Sequence, residues 1–357
     1  MKLVEYIKNN GDFSFDEKKF NEVDKLILAN LSYVHFKNIF DDNSKRKLSD
    51  VAKDFVDKKY DNEKNIMAIK GGIDLFKLLA KTRRYKDLLL YNYVRIIDSN
   101  QQFSALTIEI NKDLVYVSVE GTADEMIGWE EDFTLSYKFP IKSQKSMIKY
   151  LNKYFTFRNV NIIIGGHSKG GNLALVGSMY SNIFVRHKIK EVYSYDGPGL
   201  LKKQLNSWRF RHVLKKFKHV VPCNSMIGMM LYSSHYTVIK SKSVGILSHF
   251  ALNWQVLDDD LDYDILRNSS LELHDSIIKW MHDYNNKQKK AFVSEMFGVF
   301  KKNKVYTLLD FMSRPTALIK ILSDSTKVSR QTSIMFRRFV SMTRKFLFKS
   351  VKETIIK

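Results

Sequence analysis

The sequence predicts an α/β fold in which a largely parallel sheet is covered by helices on both faces. Three observations carry that reading. Short apolar, β-branched runs alternate with helix-length segments after residue 100; each run stops at a glycine or proline cluster; and one run leads directly into Gly166-His167-Ser168-Lys169-Gly170. Near-continuous apolar runs of this kind mark strands buried on both faces, where neither side of the pleat meets water.

Taken in order, the first hundred residues read mostly as helix. Phe20, Val23, Ile27 and Leu31 recur at three- and four-residue spacing, as do Ile73, Phe76, Leu79 and Ala80, and Gly71-Gly72 marks a break between helices. From Phe103 the period changes to two. Phe103 to Ile110 and Leu114 to Val119 flank the turn residues Asn111-Lys112-Asp113, which predicts a β-hairpin. Strands are then expected at Val160 to Ile164, Val192 to Tyr195, His219 to Val221 and Tyr236 to Ile239, with helices at Leu173 to Tyr180 and Leu200 to Phe217. The expected organisation is a helical N-terminal region (1–100) packed on the core, an α/β catalytic unit (101–285) and a basic helical C-terminal extension (286–357). No internal repeat recurs at a fixed period.

Composition narrows the function classes. With 44% hydrophobic and 27% charged residues in 357, disorder and low-complexity architectures are excluded. No run approaches the roughly 18 apolar residues of a membrane span, and Met1 to Lys8 holds no apolar segment of a secretory signal. The single cysteine, Cys223, allows neither an internal disulfide nor a thiolate metal cluster. A cytoplasmic location follows as the expectation, with peripheral attachment at the inner face of the membrane as an extension of it, and no cofactor or metal is called for.

The formal net charge of +21 needs a location. Residues 287–357 carry 17 lysines and arginines against four acids, Glu295, Asp310, Asp324 and Glu353, which leaves the body reading as only mildly basic. Within this tail Met335, Phe339, Met342 and Phe346 fall at helical spacing, while Arg337, Arg338, Arg344, Lys345 and Lys349 lie largely off that stripe. Such a helix either lies on an anionic membrane surface or packs its stripe on the core with its cations solvated. No nucleic-acid-binding motif is present, so nucleic acid is not an expected partner. Nothing in the sequence indicates an oligomeric state.

The chemistry centres on Gly166-His167-Ser168-Lys169-Gly170, a G-x-S-x-G between a strand and a helix-compatible segment. A serine placed on so tight a turn projects its Oγ out of the sheet, and the small flanking residues make the turn sterically possible. In an α/β-hydrolase-like arrangement the acid and the histidine follow the serine in chain order. Between Ser168 and His249 there are only two acids, Glu191 and Asp196. Glu191 opens a strand at its far end, whereas Asp196 closes it at the edge where ligands bind in open α/β sheets, so Asp196 is the candidate acid.

The base must come from His212, His219, His235 or His249, or later from His274 or His282. Cations surround His212 and His219, which would depress an imidazole's basicity. His249, late in the α/β unit and in a loop, is favoured, with His235 in reserve. The oxyanion donors are the amide of Lys169, the residue after the nucleophile, and that of Thr122, in the loop after the strand Val117-Ser118-Val119.

These segments carry a resemblance. Val119-Glu120-Gly121-Thr122, Trp129-Glu130-Glu131-Asp132-Phe133, Gly166-His167-Ser168-Lys169-Gly170-Gly171-Asn172-Leu173-Ala174 and Tyr195-Asp196-Gly197-Pro198-Gly199 resemble the Mbeg1-like family of bacterial α/β-hydrolase-fold proteins. Ser225 to Leu231, Ser248-His249, Trp254 and the early Asn21 to Asp24 continue the likeness over roughly residues 11–285. The family is one of unknown function, so the resemblance implies a fold more than a substrate. A more distant likeness is to class 3 lipases, whose acid follows a later strand before a Val-Pro pair. Here that segment is His219-Val220-Val221-Pro222, without an acid, which leaves Asp196 as the acid in chain order. Lys169 stands where an apolar residue is usual, and is expected to meet an anionic headgroup or a carboxylate, or else to be solvated.

The leading expectation is a serine hydrolase acting on an ester or thioester, lipid-like esters included, through Ser168, His249 and Asp196. A serine peptidase would use the same residues. The alternative is a non-catalytic hydrolase-fold module that binds a membrane surface or protein partner through 287–357.

Overall fold

A computed structural model describes residues 1–36, 44–57, 67–307 and 327–355, with single positions 39, 310, 316, 319 and 322 besides. Its centre is an eight-stranded sheet whose strands lie side by side in chain order: β1 (Arg46–Lys47), β2 (Leu89–Asp98), β3 (Gln101–Asn111), β4 (Leu114–Val119), β5 (Asn161–His167), β6 (Ile189–Tyr195), β7 (Phe217–Pro222) and β8 (Thr237–Ile239). Strands β1 to β4 pair antiparallel, and β4 to β8 pair parallel. The predicted hairpin is β3–β4, with Asp113 N–H bonded to the Asn111 side chain in its turn. A separate pair, β9 (Val256–Leu257) and β10 (Asp260–Leu261), follows the sheet.

Because every parallel crossover steps in the same direction, right-handed connections place all of the connecting helices on one face. That face is covered by α-helices from the crossovers, and the opposite face by α1 (Leu3–Asn10), α2 (Glu22–Asn30), α3 (Leu48–Asp57) and α4 (Met67–Leu79). The crossovers supply α5 (Met126–Thr134) and α6 (Lys142–Phe155), then α7 (Lys169–Tyr180) and α8 (Ile183–Lys188), then α9 (Lys202–Leu205) and α10 (Trp208–Leu214). The pleat sorts the side chains accordingly. Val115, Val117, Ile162, Ile164 and Val192 join the crossover-helix core, while Tyr116, Ile163, Tyr193 and Tyr195 join the N-terminal one.

One expectation is corrected. Leu89–Asp98 lies in the stretch read as mostly helical but forms strand β2, paired with β3 along its length. A bulge between Tyr91 and Val94 breaks its two-residue alternation, which hides the strand period from the sequence. The expected helix from Leu200 to Phe217 is two short ones, α9 and α10, split where Ser207 caps α10 through its hydroxyl.

The C-terminal residues build a third core. Helices α11 (Asn268–Asp283), α12 (Asn286–Lys302) and α13 (Arg330–Ile355) bury Trp280, Phe292, Phe297, Met335 and Phe346 together with Leu135 and Leu231. The apolar stripe on α13 is therefore inside the protein, with Phe339 ring to ring with Phe133 at 5.4 Å. Several of its cations reach acids of α11: Arg338 binds Asp283, and Lys345 and Lys349 bind Glu272. Among the described residues no helix is long and apolar enough to cross a membrane.

The N-terminal layer is knit together by a buried ion pair. Asp24 accepts from Arg84 Nε and Nη2 at 2.9 and 2.5 Å and from the Tyr85 hydroxyl at 2.5 Å, with both charged side chains fully buried. Removing one member strands the other in a medium that cannot solvate it. Asp24→Ala is expected to destabilise the fold by about 3–5 kcal/mol, read as a lower urea midpoint. Lys47→Gln, at the exposed Lys47–Asp87 pair, should leave that midpoint unchanged.

Candidate active site

Strand β5 ends at His167 and α7 begins at Lys169, so Ser168 is the whole of the turn between them. Its backbone is strained, with φ 58° and ψ −135°, a conformation costing about 1–3 kcal/mol for a residue with a side chain. The surroundings enforce it. Ser168 N–H donates to the Tyr195 carbonyl at 2.9 Å, and the Ser168 carbonyl accepts from Gly171 N–H at 2.9 Å. The flanking glycines are required by close approach: a Cβ on Gly166 would fall 2.4 Å from the Gly170 carbonyl carbon, and one on Gly170 would fall 2.2 Å from the Val119 oxygen.

Strand β6 lies next to β5, and Asp196 follows its last residue, fully buried. One carboxylate oxygen, Oδ2, meets His249 Nδ1 at 2.6 Å; the other accepts from Ser225 Oγ at 2.5 Å and Gly228 N–H at 3.0 Å. Asp196 is thus held from both sides. An ionised carboxylate only accepts, so His249 Nδ1 carries the proton and its Nε2 keeps the lone pair. His249 ends the 3-10 turn Gly245–His249, which is pinned where Trp254 Nε1 donates to the Ser248 carbonyl at 2.8 Å. Helix α13 buttresses the same turn, with Gly245 N–H donating to Ser350 Oγ.

His167, the residue before the nucleophile, couples this turn to the elbow. Its ring stands 4.4 Å from that of His249, and its Nε2 donates to the His249 carbonyl at 2.7 Å. Burial, and secondarily the neighbouring His249, push the His167 pKa down to about 3, so the ring is neutral. With Nε2 donating, Nδ1 is the acceptor for the Tyr33 hydroxyl at 2.8 Å.

The loop after β4 carries Thr122, whose Oγ1 donates to Asp132 Oδ2 at 2.5 Å. The backbone N–H groups of Thr122 and Lys169 have no acceptor among the described residues. Asp132 is half-buried as a residue, yet its Oδ1 is shielded from solvent and bonded to nothing among the described residues. Burial raises its pKa to about 6, against the opposing influence of Lys169 and the Thr122 hydroxyl.

Of the alternatives for the Lys169 side chain, the carboxylate is the one present, and it belongs to the protein itself: fully buried rather than solvated, its Nζ donates to Glu131 Oε2 at 3.2 Å and to the Gln102 carbonyl at 3.1 Å. The Glu131 carboxylate also accepts from the Gln102 and Ser143 amides, so the pair ties the start of α7 to α5 and β3. This leaves only the Lys169 amide for the site.

The structure therefore brings Asp196 and His249 into direct contact and sets Ser168 beside them, its amide bonded to the residue preceding Asp196. His235 is elsewhere. Its Nε2 meets the carbonyl of Phe217, at the start of β7 and so at the opposite edge of the sheet from the elbow. His219 is buried, its pKa depressed by burial to about 4, and bonds the Gly197 carbonyl. His274 and His282 contact the Met229 carbonyl and Tyr232, and His212 is exposed on α10. Sequence reasoning missed Ser225, Gly228, His167, Glu131 and Asp132 as partners. They lie 10 to 38 residues from the groups they hold, or, for His167, act through a ring contact that spacing does not signal.

Asp132 carries a pH signature. A carboxyl whose pKa rises from 3.8 to about 6 on folding contributes stability that is full below pH 4 and lost as pH rises through 6. The stability of Asp132→Asn relative to the native chain should therefore grow by up to about 3 kcal/mol between pH 4 and pH 7, measured by urea unfolding at each pH. A difference that is flat across that range would show the carboxyl to be unperturbed.

Among solved structures, the M37 lipase resembles the chain with a TM-score of 0.35 at 11% identity, covering 59% of this chain and 70% of that one. The Rhizomucor miehei lipase propeptide complex does so with a TM-score of 0.36 at 13% identity, covering 62% and 69%. Comparison with curated proteins gave no match. The family model described as Mbeg1-like matches residues 79–298, starting later than the resemblance at residue 11 and ending past its limit at 285. That match spans more than half of the 357 residues and includes the elbow, Asp196 and His249, and the chain belongs to the Mbeg1-like family.

Proposed function

We propose that the protein is a lipase-like serine hydrolase cleaving an ester or thioester. The observation that carries this reading is the 2.6 Å contact from His249 to an Asp196 whose other oxygen is already occupied, beside a serine on a strained strand-to-helix turn. In this reading Ser168 Oγ attacks the acyl carbonyl while His249 Nε2 takes its proton. Asp196 fixes the imidazole's tautomer and stabilises the imidazolium. The Thr122 and Lys169 amides receive the developing oxyanion, aided by the dipole of α7, whose N-terminus starts at Lys169. The imidazolium then protonates the leaving group, and water activated by the same nitrogen clears the acyl-enzyme.

An apolar acyl group fits the neighbourhood. Met126 and Trp129 follow the oxyanion loop, and Met226 and Met230 flank the Gly228 that holds Asp196; all four are only partly buried. A substrate seated between these two segments would place an alkyl chain against thioether and indole surface.

The test is labelling by a fluorophosphonate probe together with hydrolysis of a short acyl ester. The native protein should label and Ser168→Ala should not. Asp196→Asn should lower turnover by about 10³–10⁴ with the fold intact, because the imidazole loses its tautomer and its counter-charge. Labelling of native protein no faster than that of Ser168→Ala would leave a hydrolase-fold binding module as the reading.

A further inference from the structure

The excess charge is not confined to the tail. Residues 138–218 carry 17 lysines and arginines against two acids, Glu191 and Asp196. Asp196 is buried against His249, and Glu191 is taken up by Lys25 and Tyr193, so neither offsets the surface charge of this segment. The body is mildly basic as a whole but unevenly so: residues 138–218 are strongly cationic, and the remainder of the body is net acidic.

Lys169 is buried on Glu131, and Arg158 and Lys218 are paired with Glu109 and Glu22, but others of these cations lie exposed on the crossover helices. On α6 the buried positions are Met147, Tyr150, Leu151 and Phe155, while Lys142, Lys145, Lys149 and Lys153 form an exposed stripe at three- and four-residue spacing. Lys142, Lys145, Lys149 and Arg211 have no carboxylate within ion-pair distance among the described residues. At the end of α6 the chain turns at Phe157, 99% exposed. Asn182, the cap of α8, is bonded to both Asn152 and Thr156, which ties the start of α8, with exposed Ile183 and Phe184, to the end of α6. Phe184 is 64% exposed. On the α10 side, half-exposed Trp208 lies between two guanidiniums, Arg186 at 5.5 Å and Arg209 at 4.6 Å from its ring centroid. Arg186 Nε is shielded from solvent and has no hydrogen-bond partner among the described residues.

We propose that this face, the α6 lysine stripe with the exposed Phe157, Ile183 and Phe184 and the Arg186–Trp208–Arg209 stack, docks on an anionic lipid bilayer. Two features together select that partner. Uncompensated lysines and arginines are drawn to anionic headgroups, and large apolar side chains left in water gain by entering the interface. A nucleic acid would use the cations, but aromatic platforms for bases stand singly along a groove. Here the exposed apolar side chains include Ile183, which has no ring to stack. The surface is built by residues distinct from Ser168, Asp196 and His249 and does not depend on their activity. It also differs from the C-terminal tail, whose apolar stripe is already covered.

The experiment is co-flotation of the full chain with phosphatidylcholine vesicles, with and without about one third phosphatidylglycerol. The native protein should bind the anionic vesicles only, and less tightly as salt is raised. Lys145→Gln with Lys149→Gln should weaken binding about thirty-fold, from about 1 kcal/mol for each cation removed. Phe157→Ser with Phe184→Ser should weaken it at least tenfold. Both pairs are exposed and outside the buried cores, and their thermal midpoints check the fold. Arg344→Gln with Lys352→Gln, on exposed positions of α13, should bind as the native chain does. No binding, equal binding to neutral vesicles, or undiminished binding by both patch variants would overturn the proposal. So would tight binding of a short DNA duplex without vesicle binding, which would mark a nucleic-acid face.

Discussion

Strand order constrains everything else in this molecule. With β4 to β8 laid down side by side in chain order, each right-handed crossover returns over the same face, and α6, α7, α8 and α10 all land there. The opposite face has no crossover to cover it. Strands β4 to β7 nonetheless present Tyr116, Ile163, Tyr193, Tyr195 and Val220 toward that side, a surface that could not stay in water. The N-terminal helices exist in this arrangement as the second layer of the sheet, and the buried Asp24–Arg84 pair closes that layer.

The site sits where the two layers and the C-terminal helices meet at one edge of the sheet. From the crossover side comes α7, whose first residue follows the strained serine. From the N-terminal layer comes Tyr33, whose hydroxyl donates to His167 Nδ1, while His167 Nε2 grips the carbonyl of His249. From the C-terminal side comes α13, with Ser350 against the turn that carries His249. The stripe on α13 that the sequence offers to a membrane is spent on this internal support, while the cationic surface lies on the crossover helices instead.

Much of this was legible in the residues, and the rest was not for definite physical reasons. The hairpin, the run into Gly166-His167-Ser168 and the short strands after it announce themselves through local period and turn chemistry, which are properties of adjacent residues. Asp196 and His249 emerge from a scarcity, since only two acids separate Ser168 from His249. Strand β2 was hidden by its bulge. The partner of Lys169 stayed hidden because Glu131 lies 38 residues earlier on another helix, and a buried ion pair leaves no mark on sequence spacing. The charge of residues 138–218 was masked by interleaving. Helix periodicity spreads those lysines among apolar residues, so no run stands out, and only the folded α6 lines them up.

The electrostatics at His249 are arranged by subtraction. A general base gains from a nearby carboxylate and loses from a nearby cation, and two cationic candidates stand close, Lys169 and His167. The first is neutralised outright by Glu131, held with two backbone amides so that it cannot turn toward the site. The second is kept from charging by burial, and its only available proton is committed to the His249 carbonyl. What remains is Asp196 in direct contact, with Asp132 near enough to act on His249 and ionised only above about pH 6. The ring of His249 is thus bordered by one carboxylate in direct contact, by a lysine compensated by its own acid and by a histidine kept neutral, the surroundings that the proposed role as a base calls for.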